Sequence, residues 1–136
     1  MNYKLFLMAP AIFLMTNCKT KAQNDMQNND STASLGINKT VTLPDSKTKV
    51  TFASVAEDSR CPADVTCVWE GIAIVDLKLV NGSETRTVQL ATKDFEPKNV
   101  KKSFQYQGYT ISLADVKPYP GGKPEPQTIV LKYQKQ

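Results

Sequence analysis

The chain predicts an all-β domain, a small antiparallel sandwich or barrel of about seven strands closed by one disulfide. Three observations carry that expectation. From about Ile37 onward, short runs rich in valine, threonine, isoleucine and aromatic residues alternate apolar with polar, and turn residues separate them. No stretch keeps a helical 3.6-residue apolar period, and there is no internal repeat. Two cysteines, Cys61 and Cys67, stand close enough to bridge one connecting loop.

The strands follow in order. "KTVTL" and "KVTFASV" are separated by Pro44-Asp45-Ser46, a turn signal. "VWEGIAIVDLKLV" is the longest run, and alternate residues Trp69, Gly71, Ala73, Val75, Leu77 and Leu79 form its expected core face. Ile72 and Ile74 fall on the other face. Either that strand is covered on both sides, or a bulge at Gly71 switches its register. Asn81-Gly82 predicts a type I′ hairpin into "ETRTVQLA", because both residues accept positive φ. "SFQYQGYTISLADV" reads as two strands around Gln107-Gly108, with Phe104, Tyr106, Tyr109, Ile111 and Leu113 inward. "PYPGGKPEP" is a loop, since prolines 118, 120, 124 and 126 donate no backbone hydrogen bond to a ladder. "TIVLKYQ" closes the chain as a strand with Ile129, Leu131 and Tyr133 on one side. A short turn opened by Pro97 in "FEPKNVKKSF" is the one competing helical reading.

Ahead of the domain, "MNYKLFLMAPAIFLMTNC" has one early lysine, Lys4, and an apolar run from Leu5 to Met15. That run is too short to span a bilayer and has the layout of a signal peptide over residues 1–17. The three cysteines are an odd number for an exported chain, which assigns Cys18 a separate role. "LMTNC" resembles a bacterial lipoprotein signal of the Bacteroidota type, and the resemblance implies acylation of Cys18, palmitate included, and attachment to the membrane. Lys19, Thr20 and Lys21 stand where surface-exported members of that group carry acids, so the resemblance implies the periplasmic face of the outer membrane. Residues 18–36, rich in Asn, Asp, Gln, Ser and Thr, read as the lipidated N-terminus and a flexible tether before a 37–136 domain.

"EDSRCPADVTCVWEG", Glu57 to Gly71, gathers two cysteines, a proline, four acids, an arginine and the only tryptophan within fifteen positions. The five-residue interval between Cys61 and Cys67 exceeds a redox CxxC, and the chain has no histidine to complete a zinc or copper site. In an oxidising compartment such a pair forms a disulfide, contributing about 2 kcal/mol by loop closure. Trp69 is expected to pack near it from the core face, and Arg60 and Glu70 to pair across the loop mouth. The tip residues Asp64, Val65 and Thr66, with Tyr119 in the proline-rich loop, are the candidate contact residues. The alternative is that the bridge only closes an end of the fold and the prolines only block edge pairing.

"DSRCPADVTCVWEGIAIVDL" resembles a recurring DSRCP-x4-CVWxG motif of small uncharacterised exported bacterial proteins and lipoproteins, and "YTISLADVKPYP" is similar to a later segment of that group. The resemblance implies a β-rich exported domain with one disulfide and no assigned activity, and it transfers no catalytic residue.

Composition narrows the function class. Without histidine there is no Ser-His or Cys-His nucleophile pair. Glu57, Asp58, Asp64 and Glu70 offer carboxylate pairs of the kind a hydrolase uses, but no second catalytic signature accompanies them. Asp58, Asp64 and Glu70 match no calcium-loop spacing. Without Lys4, 16 basic residues face 13 acidic ones, an excess too small for a nucleic-acid surface. The expectation is a non-catalytic envelope lipoprotein with no catalytic residue, metal or cofactor. Its partners would be the membrane, through the lipid, and an envelope protein or glycan. Tyr106, Tyr109, Tyr119 and Tyr133 are the aromatic residues expected to line a ligand pocket, and a smooth polar surface would instead indicate a structural lipoprotein. Cys18→Ala tests the anchor: on cell fractionation the variant is expected to leave the membrane fraction, and retention there would refute lipid attachment.

Overall fold

The computed structural model describes residues 30–136. The expected signal peptide, Cys18 and the part of the expected tether up to residue 29 lie outside the described residues. Eight strands form two antiparallel four-stranded sheets. One has the order β1-β8-β7-β6, from Asp30–Gly36 (β1), Thr128–Lys135 (β8), Tyr109–Lys117 (β7) and Ser103–Tyr106 (β6). The other has the order β2-β3-β4-β5, from Thr40–Thr42 (β2), Thr48–Asp58 (β3), Ala73–Asn81 (β4) and Glu84–Ala91 (β5). The sheets do not close on each other, so the architecture is a sandwich rather than a barrel. The chain lays down β1, crosses over for a four-strand meander, and returns for β6 to β8, which ends beside β1.

The two inner faces make one core. Val50 and Phe52 of β3, Val75, Leu77 and Leu79 of β4, and Leu90 of β5 meet Ile111 and Leu113 of β7 and Ile129 and Leu131 of β8, all essentially inaccessible to solvent. These positions alternate along each strand, which is why the period-two reading of β4, β6, β7 and β8 found them. In β7 the register shifts between Leu113 and Asp115, and that bulge turns Val116 inward where strict alternation would have buried Asp115.

Two expectations need correction. The domain begins at Asp30, not Ile37: residues 30–36, assigned to the tether, pair with β8 from Asp30↔Gln134 to Gly36↔Thr128. Ser31, Ala33 and Leu35 lie opposite Tyr133, Leu131 and Ile129, so small or apolar side chains cover the core while the polar ones face water. An edge strand solvated on its outer face keeps the composition of a tether. The hairpin after β4 turns at Gly82-Ser83, because Asn81 pairs with Glu84. Only Gly82 has positive φ there, which is the type II′ arrangement rather than I′. The type I′ turn occurs instead at Gln107-Gly108, where both residues have positive φ. The strand count is eight, the extra one being β1. The stretch "FEPKNVKKSF" supplies one 3-10 turn, Glu96–Lys98, containing Pro97.

Ile72 and Ile74 are covered on the outer face. With Ala91 and Val100 they form a second buried cluster, against which Phe95 packs. The segment between β5 and β6 folds back over the sheet to make that cover, held by Ala91 N–H to Lys101 O and by Thr92 N–H to Ala73 O. Gly71 is the pivot. Its φ is +70°, and a Cβ there would stand 1.8 Å from Ser59 O. Gly71→Ala is therefore expected to cost more than about 3 kcal/mol or abolish folding, whereas Gly82→Ala, in open space, meets only the strain of its positive φ, about 1–2 kcal/mol. Urea denaturation of the two variants side by side checks the contrast.

Candidate functional site

The site occupies the end of the sandwich where β3 runs out, β4 begins and β7 leaves its sheet. The neck of the disulfide loop continues the β3–β4 ladder, with Ser59 N–H bonded to Ile72 O at 2.8 Å and Cys61 N–H to Glu70 O at 2.9 Å. Beyond it Cys61 and Cys67 are bridged, their Cα atoms 5.9 Å apart. The proline-rich loop lies against this one. Ala63 N–H donates to Pro120 O at 3.0 Å, and a Cβ on Gly121 would meet Asp64 Oδ1 at 2.7 Å. Gly121 also has φ +74°, which favours glycine at that contact.

Arg60 binds the two loops together. Only 8% of the residue is exposed. Its Nε and one terminal nitrogen fork onto both Asp58 carboxylate oxygens, at 2.9 and 2.7 Å. The guanidinium also donates to Val116 O at 2.7 Å and to Pro118 O at 3.0 Å. Its plane lies under the Tyr119 ring, 4.6 Å from the centroid. A planar group with several fixed donors can satisfy a carboxylate and two carbonyls at once; lysine cannot. The expected Arg60–Glu70 pair across the loop mouth does not form. Arg60 turns inward to the β7 carbonyls, while Glu70 pairs with Lys93 on the outer side.

Trp69 does not face the core. It is 47% exposed and lies outside β4, because the chain turns at Gly71 and breaks the alternation that would have sent it inward. Its ring packs on Phe95 with centroids 5.4 Å apart, and Lys93 Nζ lies 4.1 Å from its centroid. The neighbouring charges are paired: Lys93 with Glu70, Lys98 with Glu57, Lys101 with Glu96. The Glu96 hydrogen bond holds the exposed Lys101 ammonium above its usual pKa, so what little this solvated pair contributes is present at neutral pH and is lost only as pH rises through the lysine range. Sequence reasoning missed Lys93 and Phe95, which no local pattern connects to a tryptophan more than twenty residues earlier. They become neighbours through the fold-back over β4.

The candidate tip residues Asp64, Val65 and Thr66 are exposed, as is Tyr119. The four tyrosines do not gather into a pocket. Tyr109 and Tyr133 meet edge-on at 6.5 Å at the opposite end, where the Tyr109 hydroxyl donates to Pro44 O. Tyr106 is buried in the core, its hydroxyl without a protein partner, and Tyr119 stands alone over Arg60. A shallow depression on the β1-β8-β7 sheet, lined by Asp30, Thr110, Ser112, Lys132, Gln134 and, alone of the four tyrosines, Tyr133, is remote from both loops. Among the described residues no cluster of three or more His, Cys, Asp or Glu side chains is arranged to hold a metal ion.

Compared with protein-family models, curated protein sequences and solved structures, the chain gives no match.

Arg60→Ala strands two carbonyls and Asp58, and is expected to lower stability by about 3 kcal/mol, with Arg60→Lys recovering only part of it. Cys61→Ser removes the loop closure, about 2 kcal/mol. Denaturant midpoints of the three variants test this order, and an Arg60→Lys variant as stable as the native chain would contradict it.

Proposed function

We propose that the protein is an exported, lipid-anchored and non-catalytic binding module whose contact surface includes the tip of the disulfide loop and the proline-rich loop. One observation carries the reading. The large apolar side chains exposed among the described residues are Val65, Val68, Trp69 and Tyr119, and all four stand at this end of the sandwich. Elsewhere side chains of that size are buried or half-buried, so the exposure is concentrated where the backbone is best braced. A loop ordered before its partner arrives loses less entropy on binding. The disulfide, the Arg60 fork and the backbone bond from Ala63 to Pro120 all serve that end.

The carboxylates bear on the catalytic alternative. Asp58 is held by Arg60, Glu57 by Lys98 and Glu70 by Lys93. Carboxylates committed to cations are poor general acids, and this supports a binding role over hydrolysis. The structural alternative, in which the loops only cap the sandwich, draws on the same interlocking contacts.

Single substitutions at Asp64, Val65 and Tyr119, scored for melting temperature and for recovery of an envelope partner, separate the two. Lost recovery with unchanged melting is the result expected of a contact surface. If melting falls with every substitution, or recovery never changes, the loops are scaffold.

A further inference from the structure

Resting on that reading and narrowing its partner class, we infer that Val68 and Trp69 form the centre of a docking face for an apolar protein surface, presented on the side of the domain away from the anchoring membrane. Val68 was not among the candidate contact residues, and its side chain is fully exposed immediately beside Trp69. Val68 extends the exposed apolar surface of the braced indole, and tryptophan is a residue type that centres of protein contacts favour.

Where the preceding chain leaves the domain decides the orientation. Asp30 lies opposite Gln134 near the end of β8, and Gly36 lies opposite Thr128, where the proline-rich loop rejoins the sheet. The N-terminus therefore departs from the end remote from the disulfide loop, roughly 20 Å away along β1. The residues from Cys18 to Asp30 span at most about 40 Å when extended, so carrying the loop end to the bilayer would use about half that reach in doubling back.

Two other occupants fit less well. A glycan stacks on an open aromatic face, and the Trp69 ring already carries Lys93 Nζ and Phe95. Val65 and Val68 offer a sugar no hydrogen bond. A second copy anchored in the same membrane would present its tip in the same direction, which opposes an end-to-end contact. An uncharged apolar protein patch, with a rim satisfied by the existing ion pairs, is the chemistry that remains.

A photoreactive residue at Val65, in the full-length chain in lipidating cells, reads the neighbour directly. The expected result is an adduct with a different protein, whose yield falls about tenfold in Val68→Asp while melting is unchanged, since that side chain touches nothing. A second probe at Ser83, on the opposite end, is expected not to give that adduct. Adducts at Val65 with lipid, with glycan or with a second copy overturn the inference, as does a protein adduct indifferent to Val68→Asp. An adduct at a third probe position, Tyr119, without one at Val65 sinks this inference and leaves the binding role standing. No adduct at either loop position removes both.

Discussion

One buried guanidinium holds the loop end of this sandwich together. Arg60 follows β3, yet two of its four side-chain hydrogen bonds reach β7 and the chain just beyond it, in the opposite sheet. Arg60 thereby ties two sheets that meet mainly through apolar packing. Desolvating a guanidinium is expensive, and the cost is offset only where its donors find acceptors. Asp58 supplies the charge, and the Val116 and Pro118 carbonyls supply the rest. Pro118 lies just past the last ladder pair, Lys117↔Thr128, and the position of Val116 follows from the bulge between Leu113 and Asp115. The bulge, the arginine and the start of the proline-rich loop therefore constrain one another.

Around that tie the loops are braced in different ways. The disulfide shortens one loop by covalent closure, the Ala63–Pro120 hydrogen bond fastens the second to it, and Tyr119 lies on the guanidinium. The segment between β5 and β6 braces the far flank, through Phe95 against Trp69 and through two lysine–glutamate pairs, Lys93 with Glu70 and Lys98 with Glu57. Exposed pairs of this kind contribute under about 1 kcal/mol each.

The fold-back over β4 adds a partial third layer. A two-sheet sandwich normally leaves one face of each strand wet, and β4 does so along most of its length. At its start, Ile72 and Ile74 are instead buried beneath Val100 and Phe95. The cover reaches only the part of the sheet nearest the loop end. The disulfide loop thus rises from a base that is packed on both sides.

The sequence by itself determined the class of fold, most strand positions, the inward residues of β4, β6, β7 and β8, and the pairing of Cys61 with Cys67. These follow from local alternation, turn chemistry and short covalent reach, which are properties of neighbours along the chain. Only the tertiary structure decided where Arg60, Glu70 and Trp69 point. Each depends on a partner far along the chain: Val116 and Pro118 for Arg60, Lys93 for Glu70, Phe95 for Trp69. The membership of β1 was hidden for a related reason, because a polar edge strand has the composition of a tether until a partner strand accepts its backbone. Gly71 joins both levels. Its identity is visible in the sequence, but the contact with Ser59 that requires it, and that turns Trp69 outward, exists only once β3 and β4 are paired.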